Sequence, residues 1–318
     1  MTEKPATPPV GAPCRYEMLN AESLNRLVAG ARRHLDRVRP GNDPANLLNR
    51  QDENWNVDGI AWLLNEHASE LRASKRRLAR LLGLQKLATP YVIGLAGSVA
   101  SGKSTFSARL AGLLSAWNTD WTVVVLSTDN FLLPSAAMKA RGVMPRKGFP
   151  ESYDRRRLLA FVEALSAGER NLSCPVYSHE LYDIDPGKTQ IIDQPDVLII
   201  EGLNVLQTRR GVPTDTAFIS EYFDTAVYLH ADMENLQKWY VERFVNLVCQ
   251  TNPNHSYYGQ FRAMDNAERQ EAALDRWRAV NLPNLIKNIA PTKVRADIIL
   301  NLGADHQLNE VQISKHWL

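Results

Sequence analysis

The sequence predicts an α/β fold: a P-loop core with a doubly wound, mostly parallel sheet flanked by helices, and extra helices at the N-terminus. Short Val/Ile-rich runs are continuous rather than alternating, as in strands covered on both faces. Helical segments separate these runs one by one, which is the alternation of a parallel sheet with crossover helices. The first run leads directly into a glycine-bearing turn and a lysine that opens a helix.

Residues 1–15 are rich in Pro, Thr and Ala and read as a disordered tail; without an apolar stretch they do not read as a signal peptide. Residues 16–88 read as a helical extension packed on the core, and residues 89–318 as the P-loop core. Apolar residues recur at helical spacing from Glu22 to Val38, and Arg39-Pro40-Gly41-Asn42 stops them. A longer pattern runs from Val57 to Leu84, with Trp62, Leu63, Leu71, Leu78, Leu81 and Leu82 expected on the packed face. Its Lys75-Arg76-Arg77 run is either a solvated face or an anion contact. After Thr89-Pro90, strands are expected at Tyr91–Ala96, Thr122–Ser127, Val197–Ile200, Thr225–His230 and Ile298–Leu302. Helices are expected at Lys103–Trp117, Arg155–Ala167, Met233–Val248 and Ala267–Ile289.

Composition narrows the class. Of 318 residues, 44% are hydrophobic, enough for a sizeable core. The 37 basic and 35 acidic side chains leave a net charge of +2, which makes no electrostatic case for nucleic acid or a membrane surface. No apolar stretch approaches the ~18 residues of a membrane span. Cys14, Cys174 and Cys249 are scattered and odd in number, which favours a reducing cytoplasm over a disulfide framework.

Gly97-Ser98-Val99-Ala100-Ser101-Gly102-Lys103-Ser104, continued by Thr105, fits the phosphate-loop pattern. Its glycines let successive amides turn inward as an anion nest, and the following helix adds its positive dipole end. Lys103 is placed to reach the β- and γ-phosphates of ATP, and Ser104 to ligate Mg²⁺. Two further strand ends carry acids, where a parallel sheet gathers its functional groups. Asp129 could accept a hydroxyl proton or help hold Mg²⁺, or it could simply open a turn with Asn130. Glu201 could organise Mg²⁺ through water, or cap its strand.

Several longer strings are more restrictive: Lys147-Gly-Phe-Pro-Glu-Ser-Tyr-Asp154, Pro175-Val-Tyr-Ser-His179 with Tyr182-Asp183, Ile200-Glu-Gly-Leu-Asn-Val-Leu-Gln207, Trp239-Tyr240 with Arg243-Phe244, and Asn284 through Pro291-Thr292. With the P-loop and Thr128-Asp129, they resemble the bacterial type I pantothenate kinases, relatives of uridine kinase and phosphoribulokinase. The resemblance covers about Pro90 to Leu300. It implies that Asp129 is the general base facing the pantothenate hydroxyl and that Arg243 lies over the transferring phosphate. It implies a pantothenate pocket of Tyr177, His179, Tyr182, Tyr240 and Asn284. It also implies ATP and Mg²⁺ as cofactors, coenzyme A as an ATP-competitive feedback ligand, a homodimer, and a place at the opening of coenzyme A synthesis.

Three positions depart from the resemblance. Asn130 replaces a glycine after the base, and its side chain is expected to intrude near the acceptor hydroxyl. Ala108 stands where a basic residue is usual, with Arg109 about 100° further round the helix. Leu247 replaces an aromatic residue. The last two predict weakened coenzyme A feedback. The P-loop alone leaves open a kinase of another small alcohol (a nucleoside, a sugar phosphate or glycerate) or a nucleotide-binding regulator without turnover.

Overall fold

The computed structural model describes residues 15–38, 57–84, 89–207, 217–250 and 257–318. The expected N-terminal tail, apart from Arg15, and the stop after Val38 lie outside these residues. The strands are β1 (Tyr16–Leu19), β2 (Tyr91–Gly97), β3 (Val123–Ser127), β4 (Leu172–Ser178), β5 (Asp183–Ile192), β6 (Val197–Gly202), β7 (Thr225–Ala231), β8 (Ile298–Leu302) and β9 (Leu308–Ser314). The longer helices are α1 (Ala21–Val38), α2 (Val57–Leu81), α3 (Lys103–Trp117), α4 (Ser135–Ala140), α5 (Arg155–Ser166), α6 (Met233–Gln250) and α7 (Asn266–Arg276).

Among the described residues, the main sheet has seven strands in the order β1-β9-β8-β7-β2-β6-β3. The strands β8, β7, β2, β6 and the edge strand β3 are parallel, as their continuous apolar runs predict. Every residue of β2 and β6 is buried, which explains why neither alternates. β9 and β1 close one edge antiparallel. Thus residues 16–19, inside the expected helical extension, are a sheet strand. A second sheet, the β4–β5 hairpin, was not expected from the sequence. Its strands hold Pro175 and Asp185-Pro186-Gly187-Lys188, residues that strands disfavour, and the register shifts between Pro175 and Val176 to accommodate them.

The long C-terminal helix forms despite Pro283. Beyond α7 it continues through two π-helical turns, Trp277–Asn281 and Leu285–Ile289. Pro283 sits in the short turn between them, where its missing amide costs little.

The packed face of α2 is the expected one at Trp62, Leu63 and Leu71, which pack half-buried on the core, and differs further along the helix. Ile60, Leu64 and Ala68 are fully buried, whereas Leu78, Leu81 and Leu82 are exposed. The inward row continues through Arg72 and Lys75 instead of leucines. Arg72 pairs with Asp196, and Lys75 Nζ lies 2.7 Å from Asp224 Oδ1. The same two carboxylates accept the amides of Thr122 and Val92, each at 2.8 Å, so α2 is bolted to the strand starts. Of the basic run, Lys75 therefore meets an anion within the protein, while Arg76 and Arg77 face solvent.

Leu64→Ala is expected to cost about 2–5 kcal/mol of unfolding free energy, whereas Arg76→Ala, on the solvent face of the same helix, stays within about 0.5 kcal/mol of the parent. Urea denaturation midpoints with unchanged slopes check both.

Candidate active site

The site begins where β2 stops. Gly97 has φ 154°, and a Cβ there would lie 2.8 Å from both Leu229 O and Ser101 Oγ, so the turn admits no side chain. Ala100 and Gly102 also take left-handed backbone angles, at φ 62° and 83°, which curl the loop before α3. Ser101 Oγ donates to Ser98 O at 2.9 Å and braces the curl. Lys103 Nζ donates to the same carbonyl at 2.6 Å. The buried ammonium thus has one neutral acceptor. Burial lowers its pKa to about 8, with Glu201 and then Asp129 opposing the shift.

β6 brings Glu201 beside the loop, its Oε1 3.2 Å from Ser104 Oγ, which donates to it. Burial raises the Glu201 carboxyl, and the Lys103 charge opposes this. Gly202 follows because Thr128, just past the end of β3, packs where its Cβ would be. Two adjacent hard oxygens on the cleft floor suit a small divalent cation that keeps most of its ligands as water and phosphate. β3 brings Asp129, whose Oδ1 receives the Tyr153 hydroxyl at 2.9 Å. Burial and the Asp129 charge hold the Tyr153 phenol well above its ordinary pKa, so it stays a donor.

The β4–β5 hairpin forms the wall opposite. Tyr177 and His179 meet edge to face at 5.2 Å, and Tyr182 stacks on Tyr257 at 4.1 Å. Three contacts fix the hairpin. Asn130 Oδ1 receives the Tyr177 amide at 2.9 Å, Gln190 Nε2 donates to Val125 O at 3.1 Å, and Asp183 Oδ1 receives the Ser135 amide at 3.0 Å. Asn130 does not intrude on the acceptor side as expected: it is buried, and its amide also donates to Gln190 Oε1 at 3.3 Å. A short polar residue here ties the hairpin to the residue next to Asp129.

Val99, Ala100, Lys103, Ser104, Asp129, Tyr177, His179, Tyr182, Glu201, Tyr240 and Arg243 all line one cleft. Gly97, Ser98, Ser101, Gly102 and Thr105 shape the loop behind it. Arg243 projects from α6, and its charge, after burial, lowers the His179 imidazole. Asn284 is not in the cleft wall. It is buried, donates to Gly148 O at 2.8 Å, and receives Asn288 Nδ2 at 2.8 Å. It therefore holds the Lys147-Gly148 corner from behind.

The cleft also contains residues not expected from the sequence: Lys147, Tyr153, Tyr257, Tyr258, Arg276 and Asn281. Lys147 and Tyr153 lie in the restrictive 147–154 string, which was the available signal. Lys147 Nζ donates to Tyr182 O and sits 3.7 Å from the Tyr182 ring centroid. Burial lowers it to about 8, with Asp183 and Asp129 opposing. Arg276 and Asn281 carry no local signal, since they reach the cleft only through the path of the C-terminal helix.

Comparisons with known proteins agree with this geometry. The phosphoribulokinase/uridine kinase family matches residues 92–246. The chain is 43% identical to a pantothenate kinase of Vibrio cholerae serotype O1 over 260 residues, covering 80% of this chain and 83% of that protein. It is 41% identical to a pantothenate kinase of Chelativorans sp. over 286 residues, covering 88% of each. Among solved structures, a D-glycerate 3-kinase from Cryptococcus neoformans var. grubii aligns with a TM-score of 0.51 at 13% identity. That alignment covers 79% of this chain and 98% of the other, a likeness of fold.

A triphosphate raises the Lys103 pKa on binding, so only the charged form binds well. The dissociation constant for ATP is expected to be flat below pH 8 and to rise up to about tenfold per unit above it. Fluorescence titration from pH 6.5 to 9.5 checks this. The rise persists in Lys147→Met and disappears in Lys103→Met.

Proposed function

Because the chain belongs to the pantothenate kinase family, we propose that it transfers the γ-phosphoryl group of ATP to the primary hydroxyl of pantothenate, forming 4′-phosphopantothenate. The observation that carries this reading is the convergence of Asp129, Lys103 and a tyrosine-rich wall on one cleft. Kinase chemistry needs a cradle for the nucleotide tail and a proton acceptor opposite it.

The P-loop amides from Gly97 to Thr105 and the Lys103 ammonium hold the phosphates. Tyr153 occupies one Asp129 oxygen, leaving the other to receive the hydroxyl proton. As the new P–O bond forms, the bond to the β-phosphate oxygen breaks and ADP leaves. The transition state is loose and spreads charge over the equatorial oxygens, where Lys103 and Arg243 oppose it. Ser104 and, through water, Glu201 would hold Mg²⁺, which when bound neutralises phosphate charge. Tyr177, His179, Tyr182 and Tyr240 form the acceptor side, and Asn284 supports it through Gly148. Ring faces suit the gem-dimethyl group of pantothenate, and hydroxyls suit its polar groups.

We infer further that the product feeds coenzyme A synthesis in the cytoplasm. No described helix is long and apolar enough to cross a membrane. Of the N-terminal region proposed to extend the 89–318 core, α1 and α2 pack on it while β1 joins its sheet, and the exposed Leu78, Leu81 and Leu82 favour a homodimer. Feedback by coenzyme A is weak. Ala108 offers no charge, Arg109 Nη2 is 2.8 Å from Asp58 Oδ1, and Leu247 gives the cleft an aliphatic wall.

Mass spectrometry of the product from ATP, Mg²⁺ and pantothenate is expected to show phosphopantothenate. Turnover of uridine or glycerate but not pantothenate overturns the acceptor, and ATP binding without turnover overturns the enzyme. Asp129→Asn is expected to lose about 10²–10⁴-fold in kcat while keeping ATP affinity within about twofold. Coenzyme A at micromolar concentration is expected to leave most activity intact; strong ATP-competitive inhibition refutes the weak-feedback reading.

A further inference from the structure

The acceptor end of the cleft holds a cation with no acid to meet it. Arg276, at the last turn of α7, is half-buried and lines the cleft. Its guanidinium donates to the hydroxyls of Tyr182 and Tyr257, the latter at 3.1 Å. Among the described residues no carboxylate lies within ion-pair distance of it, and the groups that act on its charge are tyrosines. Arg72, Lys75 and Arg109, which also pack elements in place, each have a carboxylate partner, and Arg276 has none among the described residues. A cation withdrawn from water and left without a counter-ion is costly, and an anionic ligand removes that cost.

A second group points the same way. Asn281 lines the same cleft beside the Tyr240 hydroxyl, and its buried Nδ2 makes no hydrogen bond of ordinary geometry. Arg276 and Asn281 are five residues apart. In an α-helix that spacing turns them about 140° from one another. The π turn Trp277–Asn281, whose bonds run from residue i to i+5, brings them onto one side. The wide turn therefore presents two donors together, one charged and one neutral, to the space enclosed by the tyrosines.

The order of groups gives the ligand its direction. Asp129 lies at one end, Lys147 senses the charges of both Asp129 and Arg276, and Lys147 and Arg276 both contact Tyr182. An acceptor with a hydroxyl at one end and a carboxylate at the other, as pantothenate has, spans this line. We propose that Arg276, with Asn281, is the receptor for the acceptor's terminal carboxylate and sets the preference for an acidic over a neutral substrate. This rests on the pantothenate kinase reading.

The test compares pantothenate with its primary amide, of equal length and without the charge, in the full chain and in Arg276→Leu and Arg276→Lys. A charge-assisted hydrogen bond lost to leucine is expected to lower the acid-over-amide ratio of kcat/KM about 10- to 100-fold, mainly through KM for the acid. Arg276→Lys, which keeps the charge, is expected to restore part of the ratio. ATP affinity unchanged in both variants reports an intact fold. A role confined to propping Tyr182 and Tyr257 lowers turnover of acid and amide alike, and an unchanged ratio overturns the receptor. If the unaltered protein turns over neither compound, the pantothenate reading falls and the receptor falls with it.

Discussion

The register of three parallel strands is the constraint on which the rest of this molecule depends. Leu95, Glu201 and Ser127 lie level across β2, β6 and β3, so the next residues of each strand emerge together. From that line the P-loop curls off β2, Glu201 stands at the end of β6, and Asp129 follows β3. A shift of one residue in any of the three would turn its side chains to the opposite face and separate base from phosphate cradle. The close approach of Thr128 to Gly202 fixes this register sterically. The ion pairs from α2 to Asp196 and Asp224 fix the strand starts at the opposite edge.

Once the strand ends are level, electrostatics follows from crowding. Lys103 is desolvated against a single carbonyl, with two acids close by. Glu201 is raised by the same burial that lowers Lys103. Neither group is fully matched by the other, and the cradle keeps unspent attraction for phosphate and metal. Tyr153 does the opposite for Asp129: it donates to one oxygen and fixes where the other can point. Asp129 is thereby oriented by a residue 24 positions further along the chain, not by its own strand.

The parts legible in the sequence were those written locally. β2, β6, β7 and β8 were readable because strands buried on both faces must be apolar throughout. The P-loop was readable because its chemistry is contiguous, from Gly97 to Ser104. The β4–β5 hairpin was not, because Pro175 and the Asp185–Lys188 bulge break the alternation that marks a strand. The face of α2 was misread where Arg72 and Lys75 take interior positions through ion pairs with residues more than a hundred positions away. Asn130 was expected to point at the acceptor. Its actual partners, the Tyr177 amide and Gln190, belong to the hairpin that the sequence did not announce. Arg276 is the extreme case, since only the path of the C-terminal helix brings it to the cleft.

Net charge shows why such local detail matters. The chain as a whole is nearly balanced, at +2. The cleft is not: Lys103, Lys147, Arg243 and Arg276 face two carboxylates, Asp129 and Glu201. An average over the surface says nothing about partners when one concave region gathers the surplus, because low-dielectric walls focus the field there. Both reactants of the proposed reaction are anions, a triphosphate assigned to the Lys103 end and a carboxylic acid assigned to the Arg276 end. The two cationic ends serve different purposes. On the proposed mechanism, the charge of Lys103 and Arg243 meets oxygens whose negative charge grows during transfer, so it acts on rate. On the same proposal, the charge of Arg276 meets a group that does not change in the reaction, so it acts on which acceptor is held.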